Sequence, residues 1–91
     1  MDDLRVNDFS VGDAFKVEAG GQVHVLTVSR VEELPRAARD AGGFRLEFAG
    51  PPQPILEQAI YTFRGSLRSD DIFIVPIAAG ANGATYEAIF I

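Results

Sequence analysis

The sequence has no cysteine, only one histidine, His24, and no run of basic residues. Each absence removes a class of chemistry. Without thiols there is no disulfide staple, no thiolate nucleophile and no cysteine ligand for zinc. One imidazole falls short of the three or four ligands that a zinc site needs. The arginines Arg5, Arg30, Arg36, Arg39, Arg45, Arg64 and Arg68 are scattered, Lys16 is the remaining base, and the net charge is −5. Nucleic-acid affinity comes mostly from clustered phosphate contacts, so this pattern argues against a nucleic-acid binder, and against an anionic membrane surface as partner. No apolar run approaches the ~20 residues of a membrane helix. The opening Met1-Asp2-Asp3 is acidic and unlike a signal peptide, so cytoplasmic synthesis is expected.

What is present reads as one small β domain over residues 1–91. Apolar residues make up 47% of the chain and charged residues 23%, which suits a soluble core rather than disorder. Residues 1–8 read as an arm or one helical turn. Phe15, Val17 and Ala19 alternate with Lys16 and Glu18, the period of a half-buried strand. Gly20-Gly21 marks a tight turn, and Gln22 to Val31 a longer strand. Its apolar parity shifts between Val25 and Leu26, which a bulge or a strand covered on both faces would explain. Glu32 to Gly43 reads as a connection with room for one short helical turn between Pro35 and Gly42.

Phe44, Leu46 and Phe48 point inward from the next strand, and Gly50-Pro51-Pro52-Gln53-Pro54 ends it. Ala59 to Phe63 makes another strand. Residues 72–91 form a C-terminal hairpin about an Asn82-Gly83 turn. No strand–helix alternation is present, so an all-β, six-stranded antiparallel small barrel or two-layer sandwich is expected. Its expected interior is Phe15, Val17, Leu26, Val28, Phe44, Leu46, Phe48, Tyr61, Phe63, Phe73, Val75, Tyr86 and Phe90.

Phe44-x-Leu46-x-Phe48-x-Gly50-Pro51, Leu56-x-Gln58-x-x-Tyr61, Phe73-x-Val75-Pro76 and Gly83-x-x-Tyr86-Glu87-Ala88-x-Phe90 together resemble a family of small bacterial and phage-like domains of unknown function. Phe9, Val11-Gly12-Asp13 and Phe15 extend the likeness into the first half. Those motifs are aromatics, glycines and prolines, which shape strands and turns. The resemblance implies a structural or accessory role beside phage-tail-like fibre proteins, with possible incorporation into a virion or extracellular assembly. The apolar end Phe90-Ile91 departs from the polar residue expected after the phenylalanine.

Catalytic candidates are thin. His24 would need a carboxylate and a nucleophile within hydrogen-bond reach, and no serine or threonine lies in a nucleophile motif. The pairs Asp2-Asp3, Glu32-Glu33 and Asp70-Asp71 are neighbours, and neighbours on a strand point to opposite faces. The glycine pairs lack the helix and lysine of a phosphate cradle. No catalytic residue, cofactor or metal is therefore expected. The hairpin is different, because both faces of each arm are apolar. Either Leu4, Val6 and Phe9 or the Ala-rich loop covers the second face, or a protein partner or second subunit does. On the latter reading the interface is Ile72, Ile74, Pro76, Ile89 and Ile91. The leading expectation is a non-enzymatic structural or assembly module. A small-ligand or glycan-binding barrel, with Arg45, Arg64 or Arg68 fixing the ligand, is the second, and a small hydrolase-like enzyme using His24 the third.

Overall fold

The computed structural model describes residues 4–34 and 42–91. Of the connection expected over Glu32 to Gly43, Glu32 to Leu34 instead continue a strand and Gly43 opens the next, while residues 35–41 lie outside the described residues. The elements are a 3-10 turn at Val6–Asp8, then β1 Ala14–Ala19, β2 Gln22–Leu34, β3 Gly43–Gly50, β4 Ala59–Arg64, β5 Ser69–Gly80 and β6 Gly83–Phe90. All neighbouring strands are antiparallel, and the order β1-β2-β3-β6-β5-β4 closes on itself as a barrel. The closing seam is short: β1 and β4 are in register only at Lys16–Arg64 and Val17–Phe63 among the described residues.

The barrel is built from two similar halves. β1-β2-β3 and β4-β5-β6 are both meanders, with strands of 6, 13 and 8 residues and of 6, 12 and 8. In each, the long middle strand pairs first with the strand before it and then with the strand after it. In each it carries a register shift, Val28/Arg30 in β2 and Pro76/Ala78 in β5. Such a shift bends the strand, which lets a narrow sheet close. Aligning the two shifts matches Leu26 with Ile74 and Phe48 with Tyr86. Phe48 and Tyr86 are themselves directly paired, as a pseudo-twofold axis through that pair requires.

Alternation decides what lies inside. Phe15, Val17, Leu26, Val28, Phe44, Leu46, Phe48, Phe63 and Tyr86 are buried as expected, while Tyr61 and Phe90 pack partly against the core. Phe15, Phe48 and Phe63 form an aromatic centre, with Phe48 and Phe63 4.8 Å apart between ring centroids. Each fully buried ring is worth roughly 1.5–3 kcal/mol of transfer free energy. At one barrel end Phe9 closes the mouth against Phe15, Phe44 and Phe90, and Phe44 stacks on Phe90 at 4.4 Å. The arm therefore plugs the barrel end; among the described residues it does not cover the outside of the hairpin. At the other end Leu56 is buried, and its backbone N–H donates to the Tyr86 hydroxyl at 2.8 Å. Gly50 lies beside Leu26 and Tyr86: a Cβ there would stand 2.5 Å from Leu26 Cδ2 and 3.4 Å from Tyr86 Cε2.

Two further sequence expectations are corrected. The inward residues of β5 are Ile72 and Ile74, while Phe73 is exposed and Val75 half-buried. The interior already holds Phe15, Phe44, Phe48, Phe63 and Tyr86, and a narrow barrel takes the smaller branched chains in the remaining places. The bulge in β2 also falls at Val28/Arg30, not at Val25/Leu26. His24, Leu26 and Val28 keep one inward parity, and Val23 and Val25 are simply exposed.

Candidate interaction face

The outer surface of β4, β5 and β6 is where the chain departs from an ordinary wet face. Ile60 is paired with Phe73, Val75 with Glu87, and Ile89 with Arg45. Ile60 and Phe73 make one exposed apolar pair across β4 and β5, and Ile89 stands on the outward parity of β6, beyond the last registered β5–β6 pair, Val75–Glu87. The exposures of Ile60, Phe73 and Ile89 are 68%, 49% and 50%, and Ile91 follows at 75%. By the pseudo-twofold alignment, the matching pair on the other half is Lys16 with Val25. The backbone pattern is thus shared, but only the second half presents a wholly apolar pair there.

This arrangement revises the expected interface. Ile89 and Ile91 are exposed. Ile72 and Ile74 are in the core, because the strand parity turns them inward, and Pro76 continues that parity, half-buried opposite buried Tyr86. Those three leave the outer face. Phe73, Val75 and Ile60 take their place. The sequence signal for them was available in the two-sided apolar arm, but its parity was not.

Through its paired Arg45, Ile89 borders a cluster of charges on β2, β3 and β6. The Arg45 guanidinium contacts Glu47 at 2.6 Å, Glu87 at 2.5 Å and Glu32 at 3.7 Å. Hydrogen bonds to Glu87, then to Glu47, hold its pKa above the ordinary value. Arg45 is needed here because Glu47 and Glu87 are directly paired, and like charges facing across strands repel. Arg30 adds weaker contacts to Glu32 and Glu47. Arg68 is also engaged, by Asp70 at 2.7 Å and by Asp8 at 3.3 Å, which ties the β4–β5 turn to the N-terminal 3-10 turn. Of the arginines expected to fix a ligand, Arg45 and Arg68 are saturated by carboxylates of the chain itself. Arg64 alone makes no ion pair among the described residues; it faces Lys16 across the seam.

The remaining features carry little chemistry. A shallow cavity of about 210 Å³ lies beneath the Arg68–Asp8 contact, lined by Asp13, Phe15, Gly65 and the exposed Leu67 among others. His24 is inward-facing and its Nε2 meets the Ala19 carbonyl oxygen at 3.2 Å. No group of histidine and carboxylate side chains that could hold a metal occurs among the described residues. No described helix is long and apolar enough to cross a membrane.

Residues 4–90 match the family described as a domain of unknown function, DUF6916, and the chain belongs to that family. No curated protein and no solved structure matches it.

Proposed function

We propose that this protein is a non-enzymatic assembly module that docks through the outer face of β4, β5 and β6. The observation that carries the reading is the exposed apolar pair Ile60–Phe73, with Ile89 exposed on the outward parity of β6, on a barrel whose core is complete without them. Burying such side chains against a partner releases about 25 cal/mol per Å² of apolar surface, and contiguous exposed apolar patches usually mark contact sites. A partner of the phage-tail-like or fibre kind is compatible with this face. The support for that narrower role is the resemblance of the strand and turn motifs alone.

The test is light scattering after size exclusion, over a wide concentration range, on the wild type and on a Phe73→Ser/Ile89→Ser variant. The expected result is an oligomer that forms with concentration in the wild type and is lost in the variant, with the melting temperature unchanged. A monomeric wild type together with a variant that unfolds would show that these side chains serve the fold, and the reading would fall.

A further inference from the structure

We infer that Lys16 and Arg64 form an oxyanion-binding pair on the closing seam of the barrel, taking a carboxylate or phosphate group. The two are directly opposite on β1 and β4, on the outer face, and both are exposed. Side chains in that relation have Cβ atoms about 4.5–5.5 Å apart, and like charges so placed repel. The seam has only one other registered pair, Val17–Phe63. Half of the barrel's closure therefore sets cation against cation.

The choice is conspicuous in a chain with 13 acidic and 8 basic residues. Arg30, Arg45 and Arg68 each have carboxylate partners. Lys16 and Arg64 have none among the described residues. Glu18, two residues along on the same face, makes no ion pair with either, and Asp71 accepts instead from the Thr62 hydroxyl at 2.7 Å. On the far side of Arg64 the paired residue is Ser69, whose hydroxyl adds a neutral donor to the same row. An oxyanion lying between the two cations turns the repulsion into two charge-assisted contacts, with arginine supplying a planar fork and lysine a point charge. Its binding closes the seam more firmly.

Titration with inorganic phosphate, followed by amide NMR against sodium chloride of equal ionic strength, tests the pair. Saturable shifts are expected at Lys16, Arg64 and Ser69. At ten times the dissociation constant, the unfolding equilibrium should fall about elevenfold. Lys16→Gln and Arg64→Gln should abolish both effects. Without phosphate, at low salt, each variant should melt at or above the wild type, because the repulsion is gone. Where the oxyanion is a carboxylate of a second copy, the wild type associates at low salt, phosphate disperses it, and Arg64→Gln is monomeric; this also supports the pair. Variants less stable than the wild type at low salt without phosphate overturn the inference. So does a wild type that neither binds phosphate saturably nor associates through these residues.

Discussion

Removing one oxygen at Tyr86 should cost far more stability than removing the same oxygen at Tyr61. The Tyr86 hydroxyl accepts the Leu56 N–H at 2.8 Å, and both residues are buried. Tyr86→Phe keeps the ring in the core and leaves the Leu56 N–H without its acceptor at the barrel mouth. A buried donor left unsatisfied costs about 1–3 kcal/mol. In a domain of this size each kcal/mol moves the melting temperature by about 4–8 °C, so a fall of about 4–24 °C is expected. The Tyr61 hydroxyl donates to the Glu57 carbonyl at 2.8 Å in an exposed contact, where water replaces the lost partner. Tyr61→Phe should therefore change stability by less than about 0.5 kcal/mol at neutral pH. Thermal and urea unfolding of the two variants in the same buffer give the comparison. Equal shifts, or a neutral Tyr86→Phe, would mean that Leu56 is not pinned through this bond, and the account of how that mouth is closed would be wrong.

Arg45→Gln should destabilise by about 1–3 kcal/mol, since it leaves Glu47 and Glu87 facing each other. The loss should shrink at high salt as the repulsion is screened, which urea titrations at low and high salt will show. Ile74→Ser should cost about 2–5 kcal/mol and Phe73→Ser less than about 0.5 kcal/mol in the monomer. A reversed order would mean that the β5 parity is the other way round. Burial raises the Tyr61 phenol above its ordinary pKa. Its stabilising contribution is present below the unfolded phenol value and is lost as pH rises through the higher folded one. Stability measured up that alkaline range should fall less steeply in Tyr61→Phe than in the wild type.

The strands were legible because alternation leaves a plain mark where one face is wet. Phe44-Arg45-Leu46-Glu47-Phe48 shows it best, and all three apolar residues are buried. In β5 the same rule had nothing to work on: Ile72, Phe73, Ile74 and Val75 are apolar on both parities. Volume decided the outcome, since the rings of Phe15, Phe44, Phe48, Phe63 and Tyr86 already occupy the interior, and volume is a property of the assembled barrel. The charge cluster was hidden for another reason. Glu32, Arg45, Glu47 and Glu87 lie on three strands, and only the register brings them together. The pseudo-twofold was likewise hidden, because the matched positions share burial and not identity, as Leu26 with Ile74 and Phe48 with Tyr86 show.

The two halves also separate what packing demands from what it does not. Of the matched inward positions, Leu26 with Ile74 and Phe48 with Tyr86 hold residues of similar character, because similar enclosed space must be filled on each side of the axis, whereas His24 stands where the other half has Ile72. Matched outward positions face water and are free to differ. Lys16 and Val25 stand where the other half has Ile60 and Phe73. Neither choice is imposed by the fold: the exposed Ile60–Phe73 pair adds at most about 1 kcal/mol to a monomer, and a lysine set opposite Arg64 weakens the seam on which it stands. Residues that the core does not require, and that cost the isolated barrel something, are best explained by contacts made outside it. The exposed apolar residues of β4 to β6 and the facing cations are two such places among the described residues, and they meet on β4, which carries both Ile60 and Arg64. A partner that met both would present an apolar stretch and an acidic group to β4 and its neighbours. The Phe73→Ser and Arg64→Gln variants separate those two contributions, because neither side chain touches the core.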